Sequence, residues 1–282
     1  MTILVFGRSG QVGHALAQMA GVRCLARDEA DLGDPAACGA AIRAVRPVAV
    51  INAAAYTNVD KAEEQEGLAT RINGEAPGVM AQVCAGLEIP FVSISSDYVF
   101  DGAGRVPWKP EDATGPLGAY GRSKLVGEQT IAAAGGDWAV VRTSWVVSAR
   151  GSNFVRTMLR LGAERAGLGI VEDQIGGPTP ARALAAVCLQ VAQTLISEPE
   201  KRGFYHYAGT PNVSWAEFAR EIFRQSGIVC DVRDIASAEY PTPAKRPLNS
   251  RLDCRAIETG FGVERPDWRR GLADILQELG EV

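Results

Sequence analysis

Tyr120 and Lys124 stand four residues apart in the stretch Tyr-Gly-Arg-Ser-Lys. On a helix that spacing puts both side chains on one face, a turn from each other. A free phenol titrates near about pH 10 and is a poor acid or base at neutrality. An ammonium beside it favours the phenolate and brings its pKa toward the range where protons are exchanged. The spacing alone suits a solvated helix face as well as a catalytic pair. The start of the chain adds weight to the catalytic side. Thr2-Ile3-Leu4-Val5-Phe6 reads as a buried strand and Gly7-Arg8-Ser9-Gly10-Gln11-Val12-Gly13 as a glycine-rich turn, with a helical run over 14–20 after it. A diphosphate can rest on such a turn, because glycine admits close approach and the first N–H groups of the helix point at the anion.

The elements that must position these residues alternate along the first half. Apolar runs at Ile3–Phe6, Val22–Leu25, 48–52, 91–95 and 139–142 predict strands, and Pro35–Val45, 59–85 and 120–134 predict helices between them. Alternation of this kind predicts a doubly wound α/β fold, a parallel sheet covered by helices on both faces. Residues 153–166, 179–197 and 214–227 read as further helices, the last with a Ser214/Glu217 capping box. Residues 170–172 and 203–208 read as strands, and 237–251, rich in Pro, Arg and Ser, as a loop. The expected organisation is a dinucleotide-binding domain over 1–145 and a smaller α/β substrate lobe over 146–282, interleaved with the first and lying over the carboxyl edge of the sheet.

Composition narrows the function class. The 282 residues are 46% apolar with a net charge of −4, and no basic stretch interleaves with aromatics, which argues against nucleic acid. No apolar run approaches the roughly 20 residues that span a bilayer, and no signal-like segment leads the chain. Six scattered cysteines and only two histidines, His14 and His206, fit neither a disulfide framework nor a metal site. The expectation is a cytoplasmic protein with reduced cysteines.

Further motifs give the pattern a family. Asn52-Ala53-Ala54-Ala55-Tyr56, Ser95-Ser96-Asp97-Tyr98-Val99-Phe100, Arg142-Thr143-Ser144-Trp145, Asp173-Gln174-Ile175-Gly176-Gly177-Pro178-Thr179 and Arg246-Pro247-Leu248-Asn249-Ser250-Arg251-Leu252 stand in order along the chain. With the glycine turn and the Tyr–Lys pair they resemble the extended short-chain dehydrogenase/reductase superfamily, with its Rossmann-type fold. Within it they resemble the dTDP-4-dehydrorhamnose reductase family.

The resemblance implies that a reduced nicotinamide delivers hydride to the C4 ketone of a dTDP-deoxysugar. It makes Tyr120 the proton donor and Lys124 the residue that holds the nicotinamide ribose and lowers the phenol's pKa. Ser96 becomes the hydroxyl beside the carbonyl oxygen, where many family members carry threonine, and Ser95 is its competitor. The resemblance places the cofactor on Gly7, Arg8, Gly10, Gln11, Val12, Gly13, Asp31, Leu32, Ala53, Ala54 and Tyr56. It places the substrate against Ser96, Asp97, Tyr98, Trp145, Asn153, Arg246, Asn249 and Arg251, the arginine forks suiting phosphate. Arg8 and Arg27 favour NADPH, whereas Asp28 suits NADH. Some relatives hold magnesium through glutamates at a dimer contact; the first helix here offers His14, Ala15 and Gln18 instead, so no metal is expected, and a homodimer is left open. Dehydratases of the branch carry Asp-Glu after the catalytic hydroxyl, but Asp97 is followed by Tyr98. Two alternatives stand beside this reading: a reductase of another dTDP-4-keto-6-deoxysugar, which the motifs do not separate from it, and a non-catalytic regulatory subunit that keeps the fold, against which the retained Tyr, Lys and Ser count.

Overall fold

The computed structural model describes residues 2–281. Six strands form one parallel sheet: β1 (Ile3–Phe6), β2 (Val22–Leu25), β3 (Ala49–Asn52), β4 (Phe91–Ser96), β5 (Trp138–Thr143) and, after the lobe strand β6 (Gly167–Val171), β7 (Gly203–His206). The spatial order is β7-β5-β4-β3-β1-β2. Every residue of β1 and β3 is buried, as a parallel sheet with two covered faces requires. The order reverses between β1 and β3, where ligands of open α/β sheets bind.

Helices α1 (Gln11–Leu16) and α6 (Ala181–Ser197) lie on one face, in a core with Val5, Ile51, Val92 and Val141. Between them in sequence come α2 (Pro35–Val45), α3 (Ala76–Gly86), α4 (Ala119–Ala134) and α5 (Phe154–Glu164). On the other face α2, α3 and α4 contribute Ile42, Met80, Cys84 and Ile131 to a second core with Leu4, Phe6 and Val50. A third core, around Phe218 and Trp268, joins α5 to α7 (Trp215–Ser226) and α9 (Trp268–Leu279), which follows α8 (Arg255–Phe261). In this lobe β6 pairs in parallel with β8 (Asp231–Ile235). The second half of the chain is thus divided, since α6 and β7 complete the large sheet and the rest builds the lobe.

Several expected elements differ in detail. The single helix expected over 59–85 is broken into Val59–Ala62, Glu66–Thr70, a π-helical turn Arg71–Glu75 and α3. Pro77 has no N–H for the carbonyl of Asn73, so the regular ladder fails there. The next carbonyl, of Gly74, takes a bond from α4, from the Thr130 hydroxyl at 3.0 Å. Residues 179–180 form a two-residue ladder with 146–147 rather than the first turn of α6. The lobe strand expected at 170–172 starts earlier, at Gly167, and ends at Val171. The Ser214/Glu217 capping box is present, with reciprocal bonds of 3.0 and 2.8 Å.

Candidate active site

The carboxyl ends of β1 to β5 open into a cleft of about 850 Å³, within the size range of small-molecule sites. One wall is the glycine turn. Gly7 has φ +102°, and a Cβ there would come within 2.8 Å of the Ala54 amide nitrogen, so this position needs glycine. A Cβ at Gly13 would lie 2.0 Å from the Gly7 carbonyl oxygen. Helix α1 starts at an extended Gly10 that brings no side-chain cap, whereas α2, α5 and α7 are capped by Asp34, Asn153 and Ser214. Gln11 and Val12 line the cleft, and their first-turn N–H groups have no helical carbonyl behind them. This cradle fits a diphosphate.

Helix α4 brings the chemistry. Two glycines inside it let it approach its neighbours: a Cβ at Gly121 would sit 2.2 Å from the Tyr98 carbonyl oxygen, and one at Gly127 2.1 Å from that of Asn73. Asn73 fixes the register by donating to the Ser123 hydroxyl at 2.9 Å, and Ser123 donates on to the Tyr120 carbonyl at 2.7 Å. Tyr120 and Lys124 then face the cleft beside Ser96 at the end of β4. The Tyr98 ring meets the Tyr120 ring edge-on at 5.4 Å. Ser95 is turned away to donate to the Glu128 carboxylate at 2.6 Å, which leaves Ser96 as the hydroxyl beside the phenol.

The electrostatics differ from the expectation in one respect. Burial pushes the Tyr120 phenol up to about 12, with the Ser96 hydroxyl pulling it partly back and the Asp97 carboxylate pushing it further. Lys124 does not offset this. Its ammonium, 5% exposed, donates to the Ile94 carbonyl at 2.7 Å, and burial lowers its pKa to about 8 against the pull of Glu128. Asp97 is 1% exposed; burial raises it to about 6, and Ser96 donates to its Oδ1 at 3.0 Å.

Gly7, Gly10, Gln11, Val12, Asp31, Leu32, Ala53 and Ala54 line the cleft on the glycine-turn side, and Ser96, Asp97, Tyr98, Trp145, Asn153 and Arg246 line the remainder. Gly13 lies behind the turn as a packing residue. Arg8 points to solvent and pairs with Glu29 at 3.5 Å. Arg27 lines the cleft and pairs with Asp31 at 3.0 Å. Tyr56 lies off the cleft wall, its hydroxyl bonded to Gln65 at 2.9 Å. Asn249 and Arg251 also lie off the wall. The Asn249 amide donates to the Ala103 and Val106 carbonyls at 3.2 and 2.9 Å and accepts from Arg251 at 3.0 Å, so it braces a loop. Asn153 caps α5 and donates to the Gln11 side chain at 3.0 Å, strapping the lobe to the glycine turn.

Sequence reasoning missed Trp215 and Thr143. The Trp215 ring stacks on Trp145 at 3.5 Å between centroids, and both line the cleft. As the first residue of an amphipathic helix, Trp215 carries no signal that separates it from core. Trp145 itself holds φ +50°, a strained conformation for a bulky residue, and its ring fits only because Gly176 has no Cβ. The Thr143 hydroxyl is buried at the cleft without a partner among the described residues.

The whole described chain has known relatives. Residues 1–281 match the family described as the RmlD substrate binding domain. A dTDP-4-dehydrorhamnose reductase of Sinorhizobium fredii is 41% identical over 99% of this chain and 98% of its own. One from Burkholderia thailandensis is 42% identical over 99% of both. This chain belongs to the dTDP-4-dehydrorhamnose reductase family. Its structure superposes on the family's Clostridium acetobutylicum member with a TM-score of 0.92 at 36% identity, covering 99% of this chain and 100% of the other. The Bacillus anthracis member, solved in complex with NADP, gives 0.91 at 30% identity with the same coverage. A UDP-glucose 4-epimerase of Brucella ovis, 19% identical over 99% and 98% of the two chains, shares the fold with a TM-score of 0.81. Among the described residues of this family member no helix is long and apolar enough to cross a membrane, and no three His, Cys, Asp or Glu side chains gather as metal ligands would.

Proposed function

We propose that this protein reduces the C4 ketone of dTDP-4-dehydro-L-rhamnose to give dTDP-L-rhamnose, with NADPH as the preferred reductant. The observation that carries the reading is the convergence of Tyr120, Lys124 and Ser96 on one cleft whose other wall is the uncapped glycine turn. The NADP complex of the Bacillus anthracis relative supports the cofactor. Residues 1–145 with α6 and β7 form the dinucleotide-binding unit, and the remaining lobe holds the nucleotide sugar. The enzyme works in the cytoplasm, and it needs no metal for the reaction.

The cofactor would lie with its diphosphate on Gly7, Gly10, Gln11 and Val12, its adenosine toward Asp31 and Leu32, and its nicotinamide ribose against Lys124. When bound, it supplies the hydride. The chain's own groups handle the proton and the charge. With its pKa near 12, the Tyr120 phenol is fully protonated at neutral pH. An alkoxide growing at the sugar's C4 is a stronger base than a phenolate, so the proton moves downhill from Tyr120 to that oxygen. The Ser96 hydroxyl steadies the same oxygen, and the Lys124 ammonium offsets the phenolate left behind. Trp145 and Trp215 give the deoxysugar a flat apolar wall that excludes water.

The test is direct. The purified protein, given the product of a dTDP-glucose 4,6-dehydratase and its 3,5-epimerase, oxidises NADPH at the nicotinamide absorbance band. Tyr120→Phe loses turnover by at least about 10²-fold while NADPH affinity stays within a few-fold. A Phe variant with most of its activity intact rejects the role of the phenol.

A further inference from the structure

The cleft is lined by three cations, Arg27, Lys124 and Arg246. Arg27 is paired with Asp31 beside the glycine turn, and Lys124 faces the Tyr120 side. Arg246 is left for an anion outside the cofactor's path. It comes from the loop after residue 240, and its guanidinium is not loose. Nη1 and Nη2 donate to Asp60 Oδ1 and Oδ2 at 3.0 and 2.9 Å. Nη1 also donates to the Ala244 carbonyl at 3.1 Å, while the Ala244 amide donates to Asp60 Oδ1 at 3.2 Å. Asp60 sits on the short helix Val59–Ala62, whose start Asn58 caps.

One carboxylate therefore receives three N–H groups from the loop and fixes both its backbone and its arginine. The pair occupies the end of the guanidinium. The side edge, made by Nε–H and the second Nη2 hydrogen, has no partner among the described residues. That edge is itself a two-donor fork matched to two oxygens of a phosphate. The Tyr98 phenol feels both Arg246 and Asp60, and the Tyr98 ring touches that of Tyr120. Arg246 and Tyr120 line the same cleft, so a phosphate held at the fork and a sugar at the phenol can belong to one molecule.

We propose that Asp60 is a positioning residue that holds Arg246 as a pre-oriented fork for the diphosphate of the nucleotide sugar. The proposal rests on the function given above. A free arginine in a loop would have to be ordered on binding; the Asp60 pair orders it beforehand, so less binding energy is lost.

A double-mutant cycle on the full-length enzyme tests it, read as KM for the nucleotide sugar, KM for NADPH, kcat, and the dissociation constant of dTDP alone. Asp60→Ala raises the nucleotide-sugar KM and the dTDP constant about tenfold, a loss of about 1.4 kcal/mol. It leaves kcat and the NADPH KM within about two-fold. Asp60→Glu recovers most of the loss. In an Arg246→Ala background, Asp60→Ala adds less than about two-fold. If Asp60→Ala does not fold, the near-isosteric Asp60→Asn takes its place in the same cycle. An Arg246→Ala enzyme with unchanged nucleotide-sugar KM removes the phosphate contact and the proposal with it, while turnover by the wild type leaves the reductase reading standing. An Asp60 effect that persists in full without Arg246, or no Asp60 effect where Arg246→Ala has one, overturns the positioning role alone. A wild type without turnover, whose dTDP binding still depends jointly on both residues, rejects the reductase and retains the fork.

Discussion

Lys124 carries a charge that the fold opposes. Burial lowers its pKa to about 8, so the ammonium is full below that pH and lost above it. An anionic cofactor with hydroxyls at this position binds the charged form, and binding raises the lysine's depressed pKa. The direction follows: the KM for NADPH is lowest below about pH 8 and climbs as pH rises through it. A series from pH 6.5 to 9.5 shows the climb in the wild type, while Lys124→Met gives a high KM with no break. A wild-type KM that is flat across pH 8 removes the lysine from cofactor binding. The same scale shows what spacing cannot tell. A Tyr and a Lys four apart predict one face of a helix, but they do not reveal that burial raises the phenol and the lysine does not counter it. That balance depends on the burial of the phenol and on Ser96 and Asp97 beside it, which only packing brings together.

Helix α4 sets local propensity against tertiary contact. Alanine in place of Gly121 gains about 1 kcal/mol of helix propensity in an exposed helix. Here its Cβ would lie 2.2 Å from the Tyr98 carbonyl oxygen, and forced overpacking costs about 1–3 kcal/mol. The clash wins. Gly121→Ala lowers the melting temperature and reduces kcat by at least about tenfold, because the helix withdraws Tyr120 from Ser96. A variant more stable than wild type with full kcat would show that the helix does not lie so close. The strand and glycine turn at the chain's start were legible because neighbours in sequence build them, while the helix expected over 14–20 instead runs over Gln11–Leu16. The break in the helix expected over 59–85 was partly written in Pro77. The π-helical answer was not, since it depends on Thr130 and Gly127 of another helix.

At the scale of the molecule, β7 draws the second half of the chain onto the first. His206 ends that strand with its ring buried. Nδ1 meets the Trp108 carbonyl at 3.0 Å and Nε2 the Arg142 guanidinium at 3.4 Å. A carbonyl only accepts and a guanidinium only donates, so the ring is neutral with its proton on Nδ1. Burial and Arg142 lower its pKa to about 3. An unfolded histidine titrates near about 6.5, so between these values the unfolded chain holds a proton that the folded one lacks. Stability is therefore full above about pH 6.5 and falls as pH drops toward 3, by up to about 1.4 kcal/mol per pH unit. Urea midpoints at pH 7 and pH 4.5 show a larger loss for the wild type than for His206→Gln. Equal losses would mean that the ring is protonated within the fold. The Arg142–Glu128 pair beside it, 2.7 Å apart and almost fully buried, ties β5 to α4 and so holds the sheet against the helix that carries Tyr120 and Lys124.

Residues close in sequence determined much of this protein: the glycine-rich turn, the Tyr120–Lys124 face, the capping box of α7 and the alternation that makes a parallel sheet. Each arises from backbone geometry over a few residues, and short-range geometry is written in residue type and spacing. The tertiary structure alone decided that Ser96 and not Ser95 faces the phenol, that Asn249 and Arg251 brace a loop off the cleft, that Trp215 stacks on Trp145, and that Asp60 grips Arg246 across 186 positions. Those contacts join segments far apart in the chain. Their partners are chosen by burial and by unmet hydrogen bonds, which exist only once the cores have closed.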